Sequence, residues 1–359
     1  MKTKFWSLDK INKEEVLQEA AQVLRNGGVV AFPTETVYGL GADGLSQQAV
    51  EKIFVAKGRP ADNPLILHIA DKQEIYGLAS EVPLQAELLM EKFWPGPLTI
   101  IFKKQEHIPK IVTAGLDTVA IRMPANEIAN SLIRLSGTPL AAPSANLSGK
   151  PSPTEATAVV EDLNSKIDGI IDGGETQFGL ESTVVDCTGG LVTILRPGSI
   201  TEEQLEELVA IKKNVPVLKC AAPKAPGMKY RHYAPKAPVY ILSEGLHKED
   251  IVFFCTVAQK RGLKVGCIVE KNILTDLPDG VTSQGGWQDE QGLTLLAKNL
   301  YSWLREFDKG QVDVILAQAV LQSGLGVAIM NRLEKAAQEK RIFDKIDFGK
   351  ILPTLIKNL

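Results

Sequence analysis

Lys57 and Arg59 stand two residues apart in the stretch AKGRPADNPLILH (56–68), which holds a glycine and two prolines and runs into an apolar segment closed by His68. Pro60 and Pro64 fix φ and remove backbone donors, so the two cations sit on a constrained corner and not on a loose tail. Five further stretches share this mixture of hydroxyls, amides, cations and glycines: PTETVYGLG (33–41), DTVAIRMP (117–124), APSANLSGKPSPT (142–154), GLESTVVD (179–186) and LRPGSI (195–200). Across them Lys57, Arg59, Arg122 and Arg196 supply positive charge, while Ser144, Asn146, Ser148 and Ser152 supply neutral donors and acceptors. Such a set suits the grip on a small polyanion, because guanidinium forks match phosphate and carboxylate oxygens.

Missing motifs narrow the chemistry. The chain has no GxSxG elbow, no HExxH, no GxxxxGK[ST] loop and only four histidines, His68, His107, His232 and His247, which argues against a hydrolytic triad or a histidine metal cage. Taken singly, each stretch also has an ordinary structural reading. Thr34 and Thr36 alternate to one side of an extended segment and can simply solvate a strand end; His68 can be a satisfied strand histidine; SANLSGKPSP can be an elaborate turn. Arg122 is harder to set aside, since Ile121 and Met123 point to one face of a strand and Arg122 to the other. Several unrelated loops, each rich in anion-binding side chains, favour a site.

The elements that must position these residues are short and alternating. EEVLQEAAQVLRNGG predicts a helix with Val16, Leu17, Ala20, Val23 and Leu24 on one face. VVAFPTETVYGLGADG predicts an apolar strand that breaks into a polar, glycine-punctuated loop. SQQAVEKIFVAKG predicts a second helix, with Ser46 as N-cap and Gly58 as its stop, so that Lys57 and Arg59 flank a helix end. GPLTIIFK, TVAIRMP, TPLAAPSAN, GIIDGG, STVVDCT and VTILRPG predict strands of one mixed sheet, each ending in a polar or Gly/Pro-rich turn. The pattern lapses over about 208–238, a linker rich in proline, lysine and arginine. Beyond it PVYILSE, DIVFFCT and KVGCIVE predict strands, GLTLLAKNLYSWLREFDKG a helix, VDVILAQAV a strand and GVAIMNRLEKAAQ a helix. This is a small α/β domain with a largely parallel sheet, without a GxGxxG fingerprint and without a catalytic constellation of its own.

Composition agrees with a two-domain globular protein: 359 residues, 44% of them hydrophobic, suffice to fill two cores. A net charge of -3 argues against non-specific coating of nucleic acid. No apolar stretch approaches the roughly 20 residues of a membrane span, and MKTKFWSLDKINKEE lacks the apolar centre of a signal peptide, so a cytoplasmic location and no membrane association are expected. Cys187, Cys220, Cys255 and Cys267 fall singly, with no CxxC pair, and read as small buried hydrophobes.

PTETVYGLG, KGRPADNPL, FWPGPLT, TAGLDTVAIRMP, APSANLSGKPSPT, GLESTVVD and LRPG stand in an order and spacing that resemble the YrdC-like domains of threonylcarbamoyl-AMP synthases, over roughly residues 8–208. APGMKYRHYAP and GLGVAIMNRLEKAA resemble the longer members that carry a C-terminal domain. The resemblance implies an α/β fold: a YrdC-like twisted mixed sheet with helices and a concave basic cavity over 1–208, a Pro/Lys-rich linker covering the active site over 209–238, a smaller Rossmann-like domain over 239–345, and a C-terminal tail over 346–359. The implied activity is nucleotidyl transfer, in which L-threonine, bicarbonate and ATP become L-threonylcarbamoyl-AMP with release of pyrophosphate. The product would serve threonylcarbamoyladenosine formation next to the anticodon of tRNA, through a downstream transfer machinery and with at most a weak direct contact to tRNA.

Carried onto this sequence, the resemblance places Thr34, Thr36, His68, Arg122, Ala142 (through its backbone) and Ser182 around threonine, with Arg122 pairing the carboxylate. Arg59, Asn63, Thr118, Ser144, Asn146, Ser152, Arg196, His232 and Tyr233 would hold the nucleotide, with Mg2+ accompanying the triphosphate and no metal held by protein ligands alone. Lys57 and Arg59 are the cations assigned to catalysis. Tyr230, His232 and Tyr233 would fold over the mouth and exclude water. Carbamate attack on the α-phosphate needs no enzyme nucleophile, so positioning and charge neutralisation supply the acceleration and the missing nucleophile motif is expected. Two rival readings differ in class. A non-enzymatic RNA-binding module would need more positive charge and interleaved aromatics. Carbamoyl transfer of the hydrogenase-maturation type would bring zinc-binding cysteine pairs that this chain lacks.

Overall fold

Ser46 and Gly58 set the helix that carries Lys57. The Ser46 hydroxyl accepts from Ala49 N, the helix runs Gln47–Lys57, and Gly58 closes it in the left-handed region at φ 59°, a conformation that glycine adopts without a Cβ penalty. Val50, Ile53 and Phe54 face inward and Lys57 itself is buried in the last turn. The helix Lys13–Arg25 is capped by Asn12 and buries Val16, Leu17, Ala20, Ala21 and Leu24. The computed structural model describes residues 2–8, 12–213, 233–288 and 290–357. The chain divides into two compact units, the first of Met1–Ser148 and Ser152–Tyr230, the second of Arg231–Leu359 together with the short piece Gly149–Pro151.

In the first unit ten strands form one mixed sheet: β1 (Lys4–Ser7), β2 (Val30–Phe32), β3 (Gly39–Asp43), β4 (Ile66–His68), β5 (Leu98–Lys103), β6 (Thr118–Arg122), β7 (Leu140–Ala141), β8 (Gly169–Asp172), β9 (Thr183–Asp186) and β10 (Thr193–Arg196). Their order is β1-β8-β2-β3-β7-β4-β6-β5-β9-β10. Strands β4 and β6 are parallel, β5 is antiparallel to β6 and parallel to β9. Because side chains alternate across a strand, this register sorts residues onto two faces. Leu67, Val119, Ile121, Leu98, Ile100, Phe102 and Val185 join the main core. Ile66, Ala120, Ile101 and Val184 form a separate small apolar patch on the opposite face.

The GLGAD segment, expected as loop, is strand β3, paired antiparallel with β2 and with β7. Its glycines weaken local strand propensity, and pairing on both sides imposes the extended form. TPLAAPSAN yields only the two residues of β7 before Pro143 turns the chain.

The second unit has a fully parallel sheet of β11 (Val239–Leu242), β12 (Val265–Val269), β13 (Thr282–Gly285), β14 (Val314–Gln318) and β15 (Arg341–Ile342), in the order β13-β12-β14-β11-β15. DIVFFCT, expected as a strand, lies in the helix Lys248–Lys260, which buries Ile251, Phe254, Cys255 and Ala258. That spacing is helical, and the contiguous apolar run obscured it. Residues 346–359, expected as a tail, fall largely in the helix Lys345–Lys357, whose Phe348, Leu352 and Leu355 complete the second core. Cys187, Cys255 and Cys267 are buried and unbridged; Cys220 lies outside the described residues.

Candidate active site

The small apolar patch of the first unit has polar residues at both ends. Two positions along each strand from its members, on the same face, come His68 on β4, Arg122 and Thr118 on β6, Thr99 on β5 and Ser182 at the start of β9. His68, Arg122, Thr99 and Ser182 cluster at one end, with Thr118 at the other end of β6, roughly 13 Å away at strand rise. Thr99 Oγ1 and Ser182 Oγ are 2.7 Å apart. Arg196 closes this end: its Nε and Nη2 donate to the Ser182 carbonyl at 3.1 and 2.9 Å, and Nη2 also donates to Ser182 Oγ at 3.0 Å.

Thr34 and Thr36 enter from the loop between β2 and β3. Thr34 Oγ1 donates to the Val37 carbonyl at 2.6 Å and accepts from Thr36 N at 3.1 Å. Its hydroxyl proton is thereby used, so in the 2.8 Å contact between the two threonine hydroxyls Thr36 is the donor. Thr36 Oγ1 in turn accepts from Arg122 Nη1 at 2.9 Å, and Arg122 Nε donates to the Gly96 carbonyl at 3.2 Å. Glu35, between the two threonines, lies with Oε1 2.7 Å from Arg122 Nη2, both side chains about 5% exposed. The contact is an ion pair without hydrogen-bond alignment, and Glu35 Oε2 has no hydrogen-bond partner at all. Tyr38 pins the same loop by donating to the Gly174 carbonyl at 2.7 Å; burial raises its phenol well above the ordinary range.

His68 is buried, and its Nδ1 stands 3.2 Å from the Ile66 carbonyl. A carbonyl only accepts, so Nδ1 carries the proton and Nε2 is an acceptor. Burial first, and the Arg122 charge second, pull the imidazole down to about 3. His68 is therefore neutral at physiological pH.

Cations and amides gather on the loops before β4 and after β7. Lys57 Nζ donates to the carbonyls of Ser144 and Asn146, Ser148 N donates to Lys57 O, and Ser144 Oγ donates to Asn146 Oδ1 at 2.6 Å. Buried Asp162 holds this loop through Leu147 N at 3.2 Å. Arg59 folds back on its own turn, donating to the Asn63 carbonyl and, at 2.9 Å, to the Pro64 carbonyl. Asn63 is buried with its Oδ1 unpartnered. Ala142 N donates to Ile66 O, which leaves the Ala142 carbonyl, and not its N–H, for a ligand. Ser152 Oγ donates to Glu181 Oε1 at 2.6 Å.

Thr34, Thr36, Lys57, Asn63, His68, Thr118, Arg122, Asn146, Ser152, Ser182 and Arg196 are all buried. So dense a polar set inside a core is costly unless it is satisfied or reserved for a ligand. Tyr233 belongs to the second unit, where it takes φ 62°, stacks on Tyr301 at 5.2 Å between ring centroids and lies 5.7 Å from the Arg332 guanidinium. Tyr230 and His232 lie outside the described residues. Glu35, Thr99 and Glu181 are the participants that the motif reading passed over. Each sits inside a quoted stretch, and for the two glutamates the available signal was a carboxylate between two hydroxyls in PTET and before one in GLES. Among the described residues no group of three or more His, Cys, Asp or Glu side chains could hold a metal.

A family model described as "Telomere recombination" matches residues 22–198, and one described as "Threonylcarbamoyl-AMP synthase, C-terminal domain" matches 200–338. A curated threonylcarbamoyl-AMP synthase of Pyrococcus abyssi is 49% identical, covering 91% of this chain and 97% of the relative. The chain belongs to the threonylcarbamoyl-AMP synthase family. The Bacillus subtilis synthase is 47% identical over 94% of this chain and 98% of its own. Among solved structures, a Pyrococcus abyssi protein complexed with L-threonine is 46% identical, with a TM-score of 0.86 over 96% of this chain and 99% of that one. Two-domain architecture and enzyme class are thus those of the synthases.

Proposed function

We propose that this chain condenses L-threonine, bicarbonate and ATP into L-threonylcarbamoyl-AMP and pyrophosphate. The observation that carries this reading is similarity to synthases at 47–49% identity along nearly the whole of both chains. The buried polar cluster supports it, since the family's motifs converge there in three dimensions.

The threonine amine attacks bicarbonate; the N–C bond forms, one C–O bond breaks and water leaves, giving the carbamate. A carbamate oxygen then attacks the α-phosphorus and pyrophosphate departs with the bridging oxygen. No enzyme nucleophile enters, so the protein acts by holding two substrates together and offsetting charge. Thr34, Thr36, His68, Arg122, Ser182 and the Ala142 carbonyl would hold threonine at the His68–Arg122 end. Arg59, Asn63, Thr118, Ser144, Asn146, Ser152 and Arg196 would hold the nucleotide, with His232 and Tyr233 of the linker region. Lys57 and Arg59 would offset phosphate charge, and Mg2+ would arrive with ATP as part of that substrate. The product would pass to the tRNA-modifying machinery of the cytoplasm; no described helix is long and apolar enough to cross a membrane. Burial of Lys57, Arg122 and Arg196 weighs against duplex RNA binding, which needs cations on the surface.

Purified protein incubated with ATP, labelled bicarbonate and single amino acids tests the reading. Threonine should yield a labelled adenylate, and the same label yield with every amino acid would refute it.

A further inference from the structure

The Glu35–Arg122 pair has unmet hydrogen-bonding capacity of both signs. Arg122 places Nε on the Gly96 carbonyl and Nη1 on Thr36, while Nη2 has no aligned acceptor. Glu35 stands 2.7 Å from that nitrogen, yet neither of its oxygens accepts a hydrogen bond. Its main chain is firmly held, because the Glu35 carbonyl accepts from Gln177 N and Phe178 N at 3.1 and 2.9 Å. The main chain is thus anchored, and the buried carboxylate is ion-paired through Oε1 but accepts no aligned hydrogen bond on either oxygen, a state that buried carboxylates rarely keep without a ligand. Beside it, Thr36 Oγ1 donates a hydrogen bond to Thr34 and accepts one from Arg122 Nη1, so one further lone pair remains.

We infer that Glu35, with Thr36, receives the α-ammonium of the amino-acid substrate, so that the Glu35–Arg122 pair reads a zwitterion: ammonium on the Glu35 carboxylate, carboxylate on Arg122 Nη2. The inference rests on the proposed function and adds to it a residue that the motifs left unassigned. An ammonium carries three N–H donors, which matches two carboxylate oxygens and one hydroxyl lone pair gathered at one corner. A ligand with a carboxylate alone would meet Arg122 and face the Glu35 charge uncompensated. Discrimination against such a ligand follows from that repulsion.

The test compares ligands on the full-length protein by calorimetry, using L-threonine and 3-hydroxybutyrate, which has the same carboxylate and hydroxyl but no amine. Wild-type protein should prefer threonine strongly. In Glu35→Gln threonine binding should weaken by about ten- to a hundredfold, the scale of a lost charge-assisted hydrogen bond, while 3-hydroxybutyrate binding stays level or improves, and the KM for ATP is unchanged. Glu35→Asp keeps the charge but draws the carboxylate back by one methylene, and should show the same selective loss in smaller measure, which keeps the test decisive if Glu35→Gln folds poorly. An equal loss for both ligands would mean that Glu35 only braces Arg122 and would overturn the inference. Wild-type protein that binds no threonine would instead overturn the proposed function beneath it.

Discussion

His68 and Arg122 are register partners on the parallel strands β4 and β6, and they project from the same face of the sheet. Burial first, and the neighbouring cation second, disfavour protonation of the ring until the pH falls to about 3. The pair thus presents one donor-rich and one neutral, acceptor-bearing group side by side. A ligand between them meets a fixed pattern that does not change across physiological pH.

Acid stability follows from this neutrality. The imidazole binds a proton near pH 6.5 when the chain is unfolded and only near 3 when folded. Between those values the unfolded state holds more protons, so the contribution of His68 is present above about pH 6.5 and is lost as pH falls toward 3, at up to about 1.4 kcal/mol per pH unit. Urea midpoints at pH 7.0 and 4.5 should therefore differ less in His68→Gln than in wild type. An unaltered difference would mean that the ring is already charged in the fold.

Lys57 is expected to matter to structure and to turnover. Its ammonium holds the carbonyls of Ser144 and Asn146 together, and removing a charged donor from buried acceptors costs about 1–3 kcal/mol. Lys57→Met should lower the thermal midpoint by several degrees and raise the KM for ATP, with a smaller effect on the KM for threonine. Wild-type kinetics in a folded variant would remove Lys57 from the nucleotide end.

Gly198 is a packing requirement. A Cβ there would lie 2.4 Å from Thr183 N and 2.7 Å from both Glu181 O and Ser182 C, all of them main-chain atoms that cannot yield cheaply. Gly198→Ala should push the LRPG turn off the β9 segment, part Arg196 from the Ser182 carbonyl, and cost on the order of 1–3 kcal/mol by overpacking. The check is a denaturation midpoint together with threonine-dependent turnover, both of which should fall.

The helices around Lys57 and Val16 were legible because their caps and their i, i+3, i+4 spacing agree with tertiary packing. The strands of the site were legible too, as apolar runs ending in polar turns. Local signal failed where context decided. Glycine-rich β3 is extended because β2 and β7 flank it, and the Ile251–Ala258 segment is helical although its central residues read as a buried strand. The cations and hydroxyls of the site could be picked out by type. Glu35 could not, because its importance lies in a lateral approach to Arg122, 87 positions away in sequence, and no periodicity records that contact.

Pyrophosphate release measures most directly whether the buried cluster carries out threonine-dependent adenylate formation. Full-length wild type and Arg196→Ala, compared at matched thermal stability with threonine and bicarbonate each omitted in turn, form the experiment. Release from wild type that requires both substrates, and a variant at least tenfold slower, is the predicted result. Release that continues without threonine, or a variant as fast as wild type, would contradict it.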